Sequence, residues 1–278
     1  MNAEYAAEKQ RKQGVHFFRH AGGNAELCGL RRYRRSGLRY RYDLHIHSCL
    51  SPCGADDMTP ASIAGFAKLN GLDLAALTDH NSARNCCAFE CAAREYGLAS
   101  LCGLELTTSE DIHVLCLFET AAQAESCGYY VEQRLIRVDN RKDIFGGQYV
   151  VDVEDKVRGE VDYLLINATS ISFDDAAAMA ESFGGVAVPA HIDKDANSAV
   201  STLGAIAPES GYAAYEFSKY ERREMLTAAG LVPSGAFLIN SDAHTLEGIG
   251  MRGSEILLDC SLEELPGKMI AYLKFGLQ

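Results

Sequence analysis

The segment Tyr42-Asp43-Leu44-His45-Ile46-His47-Ser48 sets two imidazoles two residues apart. On an extended strand, positions i and i+2 project to one face, so His45 and His47 point together and can begin a metal site. In a chain with eight histidines such a pair also arises by chance, so it gains meaning only from company. That company exists. An apolar, strand-like run ending in ligand-type residues recurs as Leu74-Ala75-Ala76-Leu77-Thr78 before Asp79-His80-Asn81, and as Leu101-Cys102-Gly103-Leu104 before Glu105. It recurs again as Val186-Ala187-Val188-Pro189-Ala190 before His191, and as Phe237-Leu238-Ile239-Asn240-Ser241 before Asp242-Ala243-His244. His113 precedes the run Val114 to Phe118, at a strand's start or a loop end. Taken singly, His113 reads as a hydrogen-bonded core histidine and Glu105 as a cap. Six of the eight histidines occupy these places, and only His16 and His20 lie elsewhere. Ligands at the carboxyl ends of parallel strands converge on one site, so the set predicts a metal centre.

The elements that must position these residues follow from hydrophobic patterning. From Arg39 onward, short apolar runs alternate with amphipathic stretches, which predicts repeated strand-helix units. Strands are expected at 41–46, 72–77, 98–101, 112–118, 185–189, 213–217, 237–240 and 255–258. Helices are expected at 59–70, 84–96, 121–138, 173–183, 221–229 and 262–275. Thr59-Pro60 supplies a cap and first helical position, and Asn70-Gly71 and Tyr96-Gly97 supply stops. Residues 147–161 interrupt the rhythm and read as an inserted hairpin at the rim, with the placement of a lid.

Composition bounds the rest. The chain has 278 residues, 47% hydrophobic and 23% charged, enough for a single enzyme-sized domain over residues 39–278. No run approaches the ~20 apolar residues of a spanning helix, and the N-terminus lacks a secretory pattern, so a cytoplasmic protein without membrane contact is expected. Of the ten cysteines, those inside apolar runs such as Leu115-Cys116-Leu117 read as reduced core residues. Net charge is -12, but residues 1–42 carry ten Lys and Arg against three Glu, leaving -19 on the remainder. That remainder repels nucleic acid, so nucleic acid is not the favoured partner. The basic N-terminal extension, residues 1–38, reads as a solvated arm, with contact to RNA or a membrane as its alternative.

In order, His45-x-His47, Thr78-Asp79-His80, Gly103-x-Glu105, His113-Val114-Leu115, Pro189-Ala190-His191 and Ser241-Asp242-x-His244 resemble the signature of the PHP (polymerase and histidinol phosphatase) superfamily, over roughly residues 40 to 258. The resemblance implies an α/β fold, a distorted TIM-like (β/α)7 barrel, and two or three zinc, manganese or iron ions. It implies one ion on His45, His47 and Asp242, with Glu105 bridging to a second completed by His113 and His191. A third would use His80 and His244. Members with three ions place another histidine in the loop after the first strand; here that loop, Ser48 to Asp57, has none. Cys53 stands near the position and a thiolate is a good zinc ligand, with Asp56 and Asp57 as rivals. An iron-sulfur site from Cys49 and Cys53 with Cys86, Cys87 and Cys91 is a further alternative.

Ions held in this way lower the pKa of bound water toward ~7 and offset transition-state charge, so the expected reaction is phosphoester hydrolysis by metal-activated hydroxide on a small phosphorylated metabolite or nucleotide. Asp79 is a candidate proton donor to the leaving group, with a metal-bound water or a site histidine as alternatives, beside the metal-associated carboxylates Glu105 and Asp242. Arg84 and Lys194 are candidates to orient phosphate. Alternatives are hydrolysis of a C–N bond, and a non-catalytic metal-stabilised module that binds nucleic acid.

Overall fold

Three parallel strands begin the barrel of the computed structural model, which describes residues 37–252 and 254–276. They are β1 (Leu38–Asp43), β2 (Leu74–Leu77) and β3 (Ala99–Thr107). The expected basic arm, with His16, His20 and Cys28, falls outside the described residues. β4 (His113–Phe118) runs antiparallel to β3, and β7 (Val186–Pro189) antiparallel to β4. β10 (Ser254–Leu258) pairs antiparallel with β1, giving the six-stranded order β10-β1-β2-β3-β4-β7. β8 (Ala214–Glu216) and β9 (Ala236–Leu238) form a parallel pair of their own. Ile192 N–H donates to Glu216 O, and an isolated parallel bridge joins Ile46 to Ala243. Together these form a distorted TIM-like barrel.

The strand-helix rhythm breaks where sequence patterning could not see it. β3 and β4 are joined by a tight turn in which Asp111 N–H donates to Thr108 O and Thr108 N–H to Ile112 O. So short a connection holds no crossover helix, and the two strands must run antiparallel. The strand expected to run to Ile46 stops at Asp43, because Leu44 N–H donates to the Asn240 side chain instead of a neighbouring strand.

Helices α1 (Pro60–Leu69), α2 (Cys86–Glu95), α3 (Ala121–Glu132), α5 (Phe173–Ser182), α7 (Tyr220–Ala228) and α8 (Leu265–Phe275) correspond to the six expected, and short α4 (Lys142–Phe145) and α6 (Ala199–Leu203) add to them. Side chains of Thr59, Thr120 and Ser172 accept from Ser62, Gln123 and Asp175 N–H, satisfying donors that a helix start leaves free. α3 ends at Glu132 rather than Val138, because Leu135 and Asp139 bridge to Thr169 and Tyr163 in extended pairing.

β5 (Tyr149–Val151) and β6 (Val157–Glu160) form the inserted hairpin. It is pinned rather than free to act as a lid. Asp155 accepts from Thr59 Oγ1 at 2.5 Å, Tyr149 N–H donates to Cys49 O, and Asn85 holds both Tyr149 O and Val151 N.

Alternation along β3 and β4 sorts the core. Leu104, Leu106, Val114, Cys116 and Phe118 pack outward with α3 and α5. Leu101, Leu115 and Leu117 point inward with Tyr42, Leu74 and Val188, against Leu265, Met269 and Leu273 of α8. Each fully buried leucine contributes about 1.5–3 kcal/mol. Glu105 continues the inward row of Leu101 and Gly103, two positions apart each time. Gly103 has no side chain for a reason, since a Cβ there would lie 2.4 Å from Cys116 O.

Candidate metal centre

Two loops lie side by side at the rim. His47 N–H donates to Ala243 O at 2.9 Å and Ala243 N–H to His45 O at 3.2 Å, so the histidines after β1 face Asp242 and His244 after β9. Buried Asp43 anchors both loops by accepting from Ser241 N and Oγ and from Gly250 N. Beyond the end of β2, His80 bridges in parallel to Glu105 of β3. Because β4 is antiparallel, His113 begins its strand opposite Thr107, at the end of β3 where Glu105 sits. His191 has φ +30° and Asp242 φ +55°. Such left-handed backbone is uncommon outside glycine, although Asp and His adopt it more readily than most, and it concentrates at functional sites.

Five imidazoles ring the two oxygens of Glu105. Oε1 lies 2.9 Å from His113 Nδ1, 3.1 Å from His191 Nε2 and 3.3 Å from His45 Nε2. Oε2 lies 3.2 Å from His80 Nδ1 and 3.3 Å from His47 Nε2. Asp242 Oδ1 is 3.4 Å from both His45 and His47 Nε2. The two Nε2 atoms of His45 and His47 approach each other to 3.2 Å. His80 Nδ1 and His191 Nδ1 are buried and have no hydrogen-bond partner, although the former is close to Glu105.

Second partners fix which nitrogens stay free. His45 Nδ1 donates to Glu216 at 3.0 Å, and His244 Nδ1 to Asp242 O at 2.7 Å. Ser51 Oγ donates to Asp79 at 2.6 Å, so His47 Nδ1 donates to Ser51 Oγ at 3.1 Å. The Nε2 atoms are thereby left as acceptors, the arrangement expected of metal-binding histidines. Buried lone pairs facing one another are unfavourable, and a divalent cation between them removes the conflict. The donor set therefore fits metal. Ligand atoms of His45, His47 and Glu105 lie within 4.8 Å of one another, as do those of His80, Glu105 and His113, and those of His47, Cys53 and His244. His80 thus groups with Glu105 and His113, rather than with His244.

The charges are strongly coupled. Burial alone depresses the His45 imidazole, but Glu216, Glu105 and Asp242 outweigh it and hold it well above its usual value. His47 is likewise brought to about 9 against its burial, by Asp242 and Glu105. Burial pushes the Glu105 carboxyl up, and His113, His45 and His80 more than reverse this. His244 falls to about 4, through burial and the neighbouring His47.

The remaining candidates divide. Lys194 lines the cavity, with Nζ 2.5 Å from Asp242 Oδ2. Arg84 does not reach it; Nη2 is 2.5 Å from Glu132 Oε2, and Tyr163 and Ser82 hold the same carboxylate. Asp79 is also withdrawn, enclosed by Ser48 N and Oγ and by Ser51 Oγ, so its carboxylate orients the site's loop instead of meeting a leaving group. Cys53 lines the cavity although the residue is exposed. Its thiol is pushed up by desolvation and by Glu105, Asp79 and Asp242. Asp56 and Asp57 are exposed and join none of the ligand groups. Among the described residues those groups contain one cysteine, so the iron-sulfur alternative lacks its ligands.

Glu216 is a functional residue that the patterning passed over, although it ends an apolar run as Glu105 does. It accepts from His45 Nδ1, His191 N and Asn240 Nδ2.

The family model of the PHP domain matches residues 43–188. The chain belongs to the PHP domain family, a class of metal-dependent hydrolases. The lesion-specific endonuclease PfuEndoQ from Pyrococcus furiosus is similar in fold, with TM-score 0.54 and 19% identity over 85% of this chain. The chain spans 56% of that protein's length. A Bifidobacterium adolescentis protein assigned as a metal-dependent phosphoesterase is similar with TM-score 0.52 and 19% identity, over 85% of this chain and 96% of its own. No curated protein matches the sequence. Among the described residues no helix is long and apolar enough to cross a membrane.

Proposed function

We propose that this chain hydrolyses a phosphoester of a small metabolite or nucleotide. The observation that carries the reading is Glu105 ringed by five imidazoles on two oxygens, which suits a carboxylate shared between ions. His45, His47, Glu105 and Asp242 would hold one ion, and Glu105 with His113, His191 and His80 another. Bound divalent ions would supply a water of lowered pKa and charge that complements a phosphoryl group.

The chain's own side chains do the rest. Lys194 Nζ, released from Asp242, offers a cation to a phosphate oxygen at the cavity mouth. Glu216 keeps the His45 ring in the tautomer that leaves Nε2 free. Ile166 gives the otherwise polar cavity an apolar wall. The cavity, about 420 Å³, suits a mononucleotide or sugar phosphate. The acidic body disfavours a long polyanion, whatever DNA endonuclease Q accepts.

The test is a panel of para-nitrophenyl phosphate, its bis-ester and an amide, with manganese or zinc added and metal content measured. Turnover of a phosphoester, lost on chelation, supports the reading. Release from the amide alone transfers the assignment to C–N hydrolysis. Salt-sensitive nucleic-acid binding without turnover makes the protein a binding module.

A further inference from the structure

The loop between β1 and α1 places a thiol where its chemistry differs from everything else in the centre. Ala55 N–H donates to His244 O at 3.0 Å, tying the Cys53 loop to the His244 loop through backbone. The loop's turn is equally constrained: a Cβ on Gly54 would lie 2.2 Å from Ser48 O. The backbone of the Cys53 loop is therefore held beside the His244 loop by main chain. His244 commits Nδ1 to Asp242 O and keeps Nε2 free. His47, stacked on His244 at 4.5 Å, faces the same point. His80 lines the same cavity but turns its Nδ1 to Glu105, so it belongs to the inner position.

We propose that Cys53 and His244, faced by His47, form a thiolate-bearing metal position at the cavity mouth that selects a thiophilic divalent ion, in contrast to the position around Glu105, which offers imidazoles and carboxylates and no thiol. It rests on the metal-centre reading above and adds to it a second kind of metal preference within one cavity. A thiolate favours zinc, cobalt or cadmium, whereas a mixed set of imidazoles and carboxylates also accepts iron or manganese. Binding exchanges the thiol proton for the ion, S–H giving S–metal with H⁺ released to solvent. His47 has one free nitrogen and serves one ion at a time, so inner and outer positions compete for it. Cys53 is the exposed ligand, so this position exchanges metal with solvent more readily than the buried one.

The full-length, metal-stripped protein is titrated with cobalt(II) and followed by near-ultraviolet absorption, with bound cobalt measured by equilibrium dialysis. A thiolate-to-cobalt charge-transfer band is expected in the native protein and in Glu105→Gln. It is expected to vanish in Cys53→Ser and His244→Ala, whose folding is checked by circular dichroism. Without any variant, metal loading should protect Cys53 from iodoacetamide, located by peptide mass. Cobalt bound without the band, a band that survives Cys53→Ser, or Cys53 alkylated equally with and without metal overturns the proposal while leaving the Glu105 centre standing. Failure of the native protein to bind any cobalt removes the metal-centre reading with it.

Discussion

Lys194 Nζ and Asp242 Oδ2 lie 2.5 Å apart, so a tethered cation sits on a carboxylate that also faces His45 and His47. Lys194→Ala should lower kcat/KM for phosphoesters about ten- to a hundredfold, as expected for a lost hydrogen bond to a charged group. It should not weaken metal binding, because it frees Asp242. Arg84→Ala, outside the cavity, should leave KM unchanged. Steady-state kinetics on both variants decides, and a raised KM in Arg84→Ala with none in Lys194→Ala reverses the assignment.

Glu216 orients His45 and receives the His191 amide. Glu216→Gln keeps the shape and removes the charge, and metal affinity should fall about ten- to a hundredfold. Competition against a chromophoric chelator measures this. Unaltered affinity would show that the carboxylate has no role in holding metal.

Asp79 is saturated by Ser48 and Ser51. A proton donor acts while protonated, so its ionisation with rising pH produces the alkaline limb of the kcat profile. Asp79→Asn should retain that limb and lower Tm, since buried hydroxyls lose a charged acceptor. Loss of the limb in the Asn variant would return Asp79 to the role that sequence alone suggested.

Metal and protons compete for the same nitrogens. Nearby carboxylates hold His47 at about 9 and His45 above its ordinary value, so protonation of these rings opposes metal binding increasingly as pH falls. A raised pKa means the proton is held below it and lost above it. Affinity should therefore climb with pH and level off beyond about 9. Calorimetry in buffers of different ionisation enthalpy should register proton release, and affinity that is flat with pH would contradict the prediction.

Gly103 sits two residues before Glu105 with Cys116 O against its α-carbon. Gly103→Ala forces β3 and β4 apart, at a cost of about 1–3 kcal/mol for overpacking. Denaturant unfolding reads the loss, and metal content should fall with it because Glu105 and His113 lie on the separated strands.

The residues gathered around Glu105 and Asp242 were legible in the sequence by two signals: the two-residue spacing of His45 and His47, and, for the others except His113, an apolar run before them, since a buried strand tolerates a polar end only where that end meets water, a partner group or an ion. Strand direction was not legible. The Thr108–Ile112 connection differs from a crossover only in length, and His113 looked displaced until β4 proved antiparallel. The direction of Arg84 and Asp79 was not legible for one reason: adjacency in sequence to a histidine of the site says nothing about which way a side chain leaves the loop. Their partners, Glu132 and Ser51, lie 48 and 28 positions away. Glu216 was missed although it ends an apolar run, because, unlike Gly103-x-Glu105, it falls in none of the motifs that carry the family resemblance.

The bridge between Ile46 and Ala243 brings the start and the finish of the barrel's circuit together. The residues flanking it, His45 and His47 on one side and Asp242 and His244 on the other, are the ones a cation would share. An ion there works as a clasp on the closing seam, contributing its binding energy to folding. Everything from β1 to β9 must be in place before that clasp exists, so metal capture would mark the closure of the barrel rather than its nucleation. In a metal-starved cell the same seam is where the barrel would first part.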